Sequence, residues 1–368
     1  MLLSELTRAA PRLALVGLAK NTGKTVTLNA LLAELSAAGT PVGVTSVGRD
    51  GEQHDVIDFR IDKPRVRLEE GSLVATTDAL LSASGTGHEL LDRTGIGTPL
   101  GEVVIARLLS AGEVEVAGPS AAQDARAMAD AMLAHGAEQA LIDGAIDRRA
   151  ASSPHVADGL VACTGAVLSE DVHEVVARTR EAIELVRLPT LAADGPLGAA
   201  AHALALAGSE HGAAVLSADG AGAALLPARY ALTAQAAEIA ALLAEHRDAA
   251  AIAVSGALPE SFVRDVALAA RRSRREITLV VADATHVFVH ERGVEHYRAQ
   301  GVRLAVLAPI DLLALTVNPV APQSHSFDSA RLRDLLSEEI AGVPIFDVLH
   351  PSYRGAQPPV SRALRSRP

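Results

Sequence analysis

Apolar positions in this chain fall into short, nearly unbroken runs, with stretches of helical spacing between them. The first run is Arg12-Leu-Ala-Leu-Val-Gly-Leu, the pattern of a parallel strand buried on both faces. Over 26–38 the residues Leu28, Leu31, Leu32 and Leu35 share one helical face, and Gly39 and Pro41 supply the stop signals. Residues 42–47 read as a second strand. Ala140-Leu-Ile-Asp-Gly and Leu160-Val-Ala-Cys-Thr-Gly read as two more buried strands, and helices are predicted over 121–134 and 169–185. Between 56 and 118 the pattern is less regular, with strands at 65–68, 103–108 and 114–116 and a helix at 77–84.

The stretch 190–212 is rich in Ala and Gly and carries Pro196, which marks a boundary. Beyond it the alternation resumes, with strands at 252–254, 277–282, 304–307 and 345–348 and helices at 234–245, 260–271 and 329–340. The apolar stretch 304–320 is interrupted by Asp311, Asn318 and Pro319, so it reads as buried strand and helix and not as a membrane span. The expected architecture is α/β. A parallel-sheet nucleotide-binding domain over 1–195 is followed by a second, smaller α/β domain over 205–368 with no assigned role.

Composition narrows the function classes. Only 2 % of the residues are aromatic and none is Trp, so the core must be built from Ala, Val, Leu and Ile. The 33 Lys and Arg against 44 Asp and Glu leave a net charge of −11, which argues against a nucleic-acid footprint. Arg271, Arg272, Arg274 and Arg275 form one basic cluster, expected as a solvated helix end. Cys163 is the single cysteine, which excludes a disulfide framework and a Cys-rich metal site and fits a cytoplasmic protein. No secretory signal pattern precedes the first strand.

The segment after the first strand carries the strongest chemistry. It reads Gly17-Leu18-Ala19-Lys20-Asn21-Thr22-Gly23-Lys24-Thr25, and Val26 continues the helix. Binding a phosphate needs backbone N–H groups converging on one point, a helix N-terminus behind them and a cation. A strand, a Gly-rich turn ending in Gly23, then Lys24 at a helix start provide all three, which is the P-loop arrangement. Lys24 is placed to reach the β- and γ-phosphates, and Thr25 offers a hydroxyl to Mg²⁺. Five residues separate Gly17 from Gly23, one more than in the commonest form of the motif.

A metal-dependent nucleotide site also needs carboxylates. Asp143 ends a buried strand and is followed by Gly144, the Walker B pattern. Asp50, in Ser46-Val-Gly-Arg-Asp-Gly-Glu after the second strand, is a further candidate for Mg²⁺, ahead of Glu52 and Asp55. An ordinary polar turn is the competing reading for these. Arg148 and Arg149 follow Asp147 and are candidates to meet γ-phosphate charge. The guanine-reading Asn-Lys-X-Asp signature is absent, which favours ATP over GTP.

The longer loop spacing resembles that of dethiobiotin synthetase and related amidotransferase-linked ligases, and Lys20-Asn-Thr-Gly-Lys-Thr is similar to the loop of molybdopterin-guanine dinucleotide accessory proteins. More narrowly, the loop, Asp143-Gly-Ala-Ile-Asp-Arg-Arg-Ala-Ala-Ser, Asp158-Gly-Leu-Val-Ala-Cys-Thr-Gly-Ala and the late Thr316-Val-Asn-Pro turn resemble an accessory protein of adenosylcobalamin-dependent lysine and ornithine aminomutases. That resemblance implies an ATPase with Mg²⁺ that reactivates a client enzyme by helping to expel damaged cobalamin. The first resemblance implies the alternative, an ATP-dependent ligase or kinase acting on a small molecule. A glutaminase of the usual type is ruled out, because Cys163 precedes the second domain.

The remaining signals are weaker. His286 and His290 are four apart, but Thr285-His-Val-Phe-Val-His reads as strand, so a shared metal is disfavoured. Cys163 is expected to be a plain core thiol. Ser255-Gly-Ala and Asp283-Ala-Thr each close a predicted strand, the end at which α/β sheets bind ligands.

Overall fold

The computed structural model describes residues 2–47, 65–145, 149–206, 212–226, 230–322 and 325–353. Seven strands of its large sheet come first in the chain: β1 (Arg12–Gly17), β2 (Val42–Ser46), β3 (Leu73–Thr77), β4 (His88–Thr98), β5 (Gly101–Leu108), β6 (Gln139–Ala145) and β7 (Gly159–Gly165). Five belong to a smaller sheet: β8 (Ala213–Ser217), β9 (Ala223–Leu225), β10 (Ala249–Val254), β11 (Ile277–Val281) and β12 (Val302–Val306). Two follow, β13 (Asp311–Asn318) and β14 (Ile345–Phe346).

The first compact unit is built from residues 1–180 and 310–368. Its sheet has nine strands in the order β14-β13-β7-β1-β6-β2-β3-β5-β4. The strands from β14 to β3 run parallel, and the β4–β5 hairpin closes one edge antiparallel. The apolar run at β1 explains its central place: Leu13, Ala14 and Leu15 are fully buried, as a strand covered on both faces requires. Helix Lys24–Ala37 packs Leu28, Leu31, Leu32 and Leu35 into the same core, with Val44, Leu141 and Val161 of the neighbouring strands. Its Leu spacing matches the helical repeat, and Gly39 beyond it adopts φ 69°, the left-handed stop typical of helix ends.

The second unit spans residues 181–309 and has its own five-stranded sheet, β9-β8-β10-β11-β12. β10, β11 and β12 are parallel, and β8 pairs antiparallel with both β9 and β10. Helices Ala236–Glu245 and Glu260–Ser273 supply Ile239, Leu243, Phe262, Val263 and Val266 to one buried cluster, and helix Pro196–Leu206 brings Ala201 against Leu216, Ala251 and Val280 in another.

The expected α/β class with a large, mostly parallel sheet therefore holds, and the division of the chain differs. A second domain running from 205 to 368 was expected. Instead β13 pairs with β7 and β14 with β13, so the last part of the chain completes the first sheet. The reason is a pairing remote in sequence: Thr316 stands opposite Cys163 and Asn318 opposite Gly165. The expected helix within 304–320 is likewise absent, since Asp311–Asn318 is an extended strand between β7 and β14, buried from Ala314 to Val317. The strands β3, β4, β8, β9 and β13 were not foreseen. Among the described residues no helix is long and apolar enough to cross a membrane.

Candidate functional site

Because β13, β7, β1, β6 and β2 are parallel, their carboxyl ends share one edge of the sheet. Gly17 stands opposite both Ala145 and Cys163, and Ser46 opposite Asp143. Strand β6 lies between β1 and β2 although both come far earlier in the chain, ending at Gly17 and Ser46 against the β6 start at Gln139. That insertion brings Asp143 beside the loop after β1. The carboxyl edge of such a sheet is where α/β proteins bind ligands.

The loop from Gly17 to Gly23 is held by its own residues and by β7. The Leu18 N–H donates to the Cys163 carbonyl at 2.8 Å. The Thr22 hydroxyl, buried, donates to the Ala19 carbonyl at 3.0 Å. Asn21 (φ 65°) and Gly23 (φ 84°) are left-handed, which reverses the chain and starts the helix at Lys24. Lys20 is exposed, and Gly23 to Val26 are half-buried.

Lys24 Nζ lies 2.6 Å from Asp143 Oδ1, with the two side chains 22 % and 21 % exposed. A pair at that depth is partly desolvated, so its attraction exceeds that of a surface ion pair, yet an incoming anion can still reach the ammonium. Beneath it, the Thr27 hydroxyl meets the Thr316 hydroxyl at 2.8 Å in a buried contact. Cys163 is fully buried beside both. Burial pushes its thiol up, and the neighbouring hydroxyls of Thr316 and Thr27 and the charge of Lys24 do not overcome this. It is therefore a core thiol and not a nucleophile.

Of the residues singled out in the sequence, Gly17, Lys20, Asn21, Thr22, Gly23, Lys24, Thr25 and Val26 lie on one loop and helix start, and Asp143 joins them. Asp50, with Arg49, Glu52, Asp55, Asp147 and Arg148, lies outside the described residues. Arg149 opens a short 3-10 turn, Arg149–Ser152. Asn318, in the Thr316-Val-Asn-Pro turn, is not among the sequence-predicted site residues, yet it reaches this loop. Its side-chain Nδ2 donates to the Asn21 carbonyl at 2.9 Å, and its Cβ is 3.1 Å from where a side chain on Gly23 would begin. The Asn-Pro step after an apolar run was its only signal.

A hard divalent cation takes oxygen ligands, and Mg²⁺ needs few from protein because it keeps waters and substrate phosphates. The Thr25 hydroxyl and the Asp143 carboxylate are of that type. Among the described residues no group of three or more His, Cys, Asp or Glu is arranged to hold a metal. His286, in the second unit, has its Nδ1 3.4 Å from Asp283 Oδ1.

Comparison with family models, with curated proteins and with solved structures finds no match. The chemistry is therefore read from the site's own geometry.

Proposed function

We propose that this chain is a P-loop ATP-binding NTPase that acts with Mg²⁺ as an accessory or reactivating factor for a cofactor-dependent enzyme. The observation that carries the nucleotide reading is the Lys24–Asp143 pair at the carboxyl ends of adjacent parallel strands, behind a loop whose left-handed Asn21 and Gly23 open a helix. In this reading Lys24 takes the phosphate charge and the helix start of Lys24–Ala37 adds its N–H groups. The Thr25 hydroxyl and Asp143 hold the Mg²⁺, which supplies charge neutralisation at the phosphates. Asp143 keeps Lys24 extended toward the loop before nucleotide arrives.

The accessory role is supported by the second unit. It is a separate α/β body inserted between β7 and β13 of the sheet that carries the loop. Such an insertion is suited to engaging a client protein, and the reading places the protein in the cytoplasm. The resemblance to aminomutase accessory proteins names the class of client, an adenosylcobalamin-dependent lysine or ornithine aminomutase. The test is ATP turnover by the full chain with Mg²⁺, alone and with such an aminomutase inactivated by turnover. Slow hydrolysis that the inactivated client stimulates, with recovery of client activity, is expected. Turnover triggered by a small carboxylate or amine with no protein present would instead favour the ligase alternative.

A further inference from the structure

The turn after β13 does more than end a strand. Asn318 Nδ2 donates to the Asn21 carbonyl at 2.9 Å, while the Val320 N–H donates to Asn318 Oδ1 at 3.1 Å. The second bond fixes which end of the amide is which, because a backbone N–H needs the oxygen facing it. The donor end must then face the loop. Asn21 is one of two non-glycine residues with positive φ among those described, a conformation that Asn tolerates better than other residues with a Cβ.

A trans peptide sets its C=O and the following N–H on opposite sides. Tying the Asn21 carbonyl to Asn318 therefore turns the Thr22 N–H away from β13. Strand β13 itself is anchored: Thr316 bonds Thr27 at the start of the loop's helix, and Asn318 packs so tightly on Gly165 that a Cβ there would lie 2.4 Å from the Asn318 carbonyl oxygen. An anchored strand thus holds the one left-handed non-glycine residue of the loop.

We infer that Asn318 is a positioning residue for phosphate binding: it locks the Asn21–Thr22 peptide in the orientation that presents the loop's N–H groups to the phosphates. This rests on the nucleotide reading above. It assigns Asn318 to the phosphates, through the loop, and not to the base.

Two ligands separate these roles, ATP and inorganic tripolyphosphate, which has no base or sugar. Affinities of both are measured with Mg²⁺ for the full-length wild type, Asn318→Ala and Asn318→Asp. The Asp variant keeps the acceptor for Val320 and loses the donor, so it preserves the turn. Both variants are expected to weaken ATP and tripolyphosphate by the same factor, about five- to tenfold, the worth of one hydrogen bond. A loss for ATP alone, or no loss for either ligand, overturns the inference while leaving the nucleotide reading standing. A wild type that binds neither ligand removes that reading, and this inference with it.

Discussion

Lys24 Nζ sits 2.6 Å from Asp143 Oδ1, across the gap between the end of β6 and the start of the helix after β1. An anion binding at the loop must compete with Asp143 for the same ammonium. Asp143→Asn is therefore predicted to leave Mg²⁺-free ATP affinity intact or raise it severalfold. Mg²⁺-dependent hydrolysis is predicted to fall on the order of a hundredfold, the scale of losing one group that stabilises transition-state charge. Calorimetric titration with and without Mg²⁺, beside a phosphate-release assay, measures both. Unchanged hydrolysis would take Asp143 out of the site.

Gly23 combines φ 84° with the close approach of the Asn318 Cβ at 3.1 Å. Gly23→Ala is predicted to cost about 1–2 kcal/mol of stability from the left-handed backbone and to weaken ATP binding. Gly39 shares the positive φ, at 69°, but nothing lies within 4 Å of its added Cβ. Gly39→Ala should lose comparable stability in urea unfolding and bind ATP normally. Equal binding losses in both would mean the loop is sensed only through global stability.

The return of the chain's last part to the first unit has its own test. The Tyr353 hydroxyl donates to Glu34 Oε1 on the helix behind the loop and accepts from the Leu3 N–H at 3.2 Å. Burial pushes the Tyr353 hydroxyl up, and the bond to the Glu34 carboxylate adds to the rise. Glu34 is buried and also accepts from the Ser4 N–H at 2.8 Å. Tyr353→Phe leaves that buried carboxylate short of a partner, for a predicted loss of about 1–3 kcal/mol. A urea midpoint equal to the wild type's would show that this contact carries no weight.

Much of this arrangement was legible in the sequence, and the limits have physical causes. The loop and strands β1, β2, β6 and β7 announced themselves because strands buried on both faces need continuous apolar runs. The hairpin strand β4 did not, since it is an edge strand with no buried residue and no apolar pattern to read. Strand β8 was hidden in an Ala-rich stretch that reads equally as helix. Asp143 was found from its place at a strand end. Its contact with Lys24 depends on β6 inserting between β1 and β2, and the Asn318 contact on a pairing across some 150 residues from Gly165. Local spacing holds no record of either.

In the second unit, burial pushes the Asp283 carboxyl up, but hydrogen bonds from His286 and Thr285 outweigh it and bring the carboxyl down to about 2. The same bond raises His286 above its usual 6.5 against its own burial. The signs follow from linkage. Asp283 stabilises above its usual 3.8, and that contribution is lost as pH falls from 3.8 to about 2. His286 stabilises fully below 6.5, and its contribution is lost as pH rises through its raised value. Thermal stability of the full chain should therefore weaken as the pH rises above 6.5, and His286→Gln should flatten that alkaline limb. An identical alkaline limb in the variant would contradict the pairing.

The most direct test of the central claim is ATP binding by the wild type and Lys24→Ala, measured by titration calorimetry with Mg²⁺ and with folding checked by circular dichroism. The wild type is expected to bind one ATP per chain, and the folded Lys24→Ala variant to show no measurable binding, because phosphate charge is then left unopposed at the loop. A folded Lys24→Ala that binds ATP as tightly as the wild type would contradict the account.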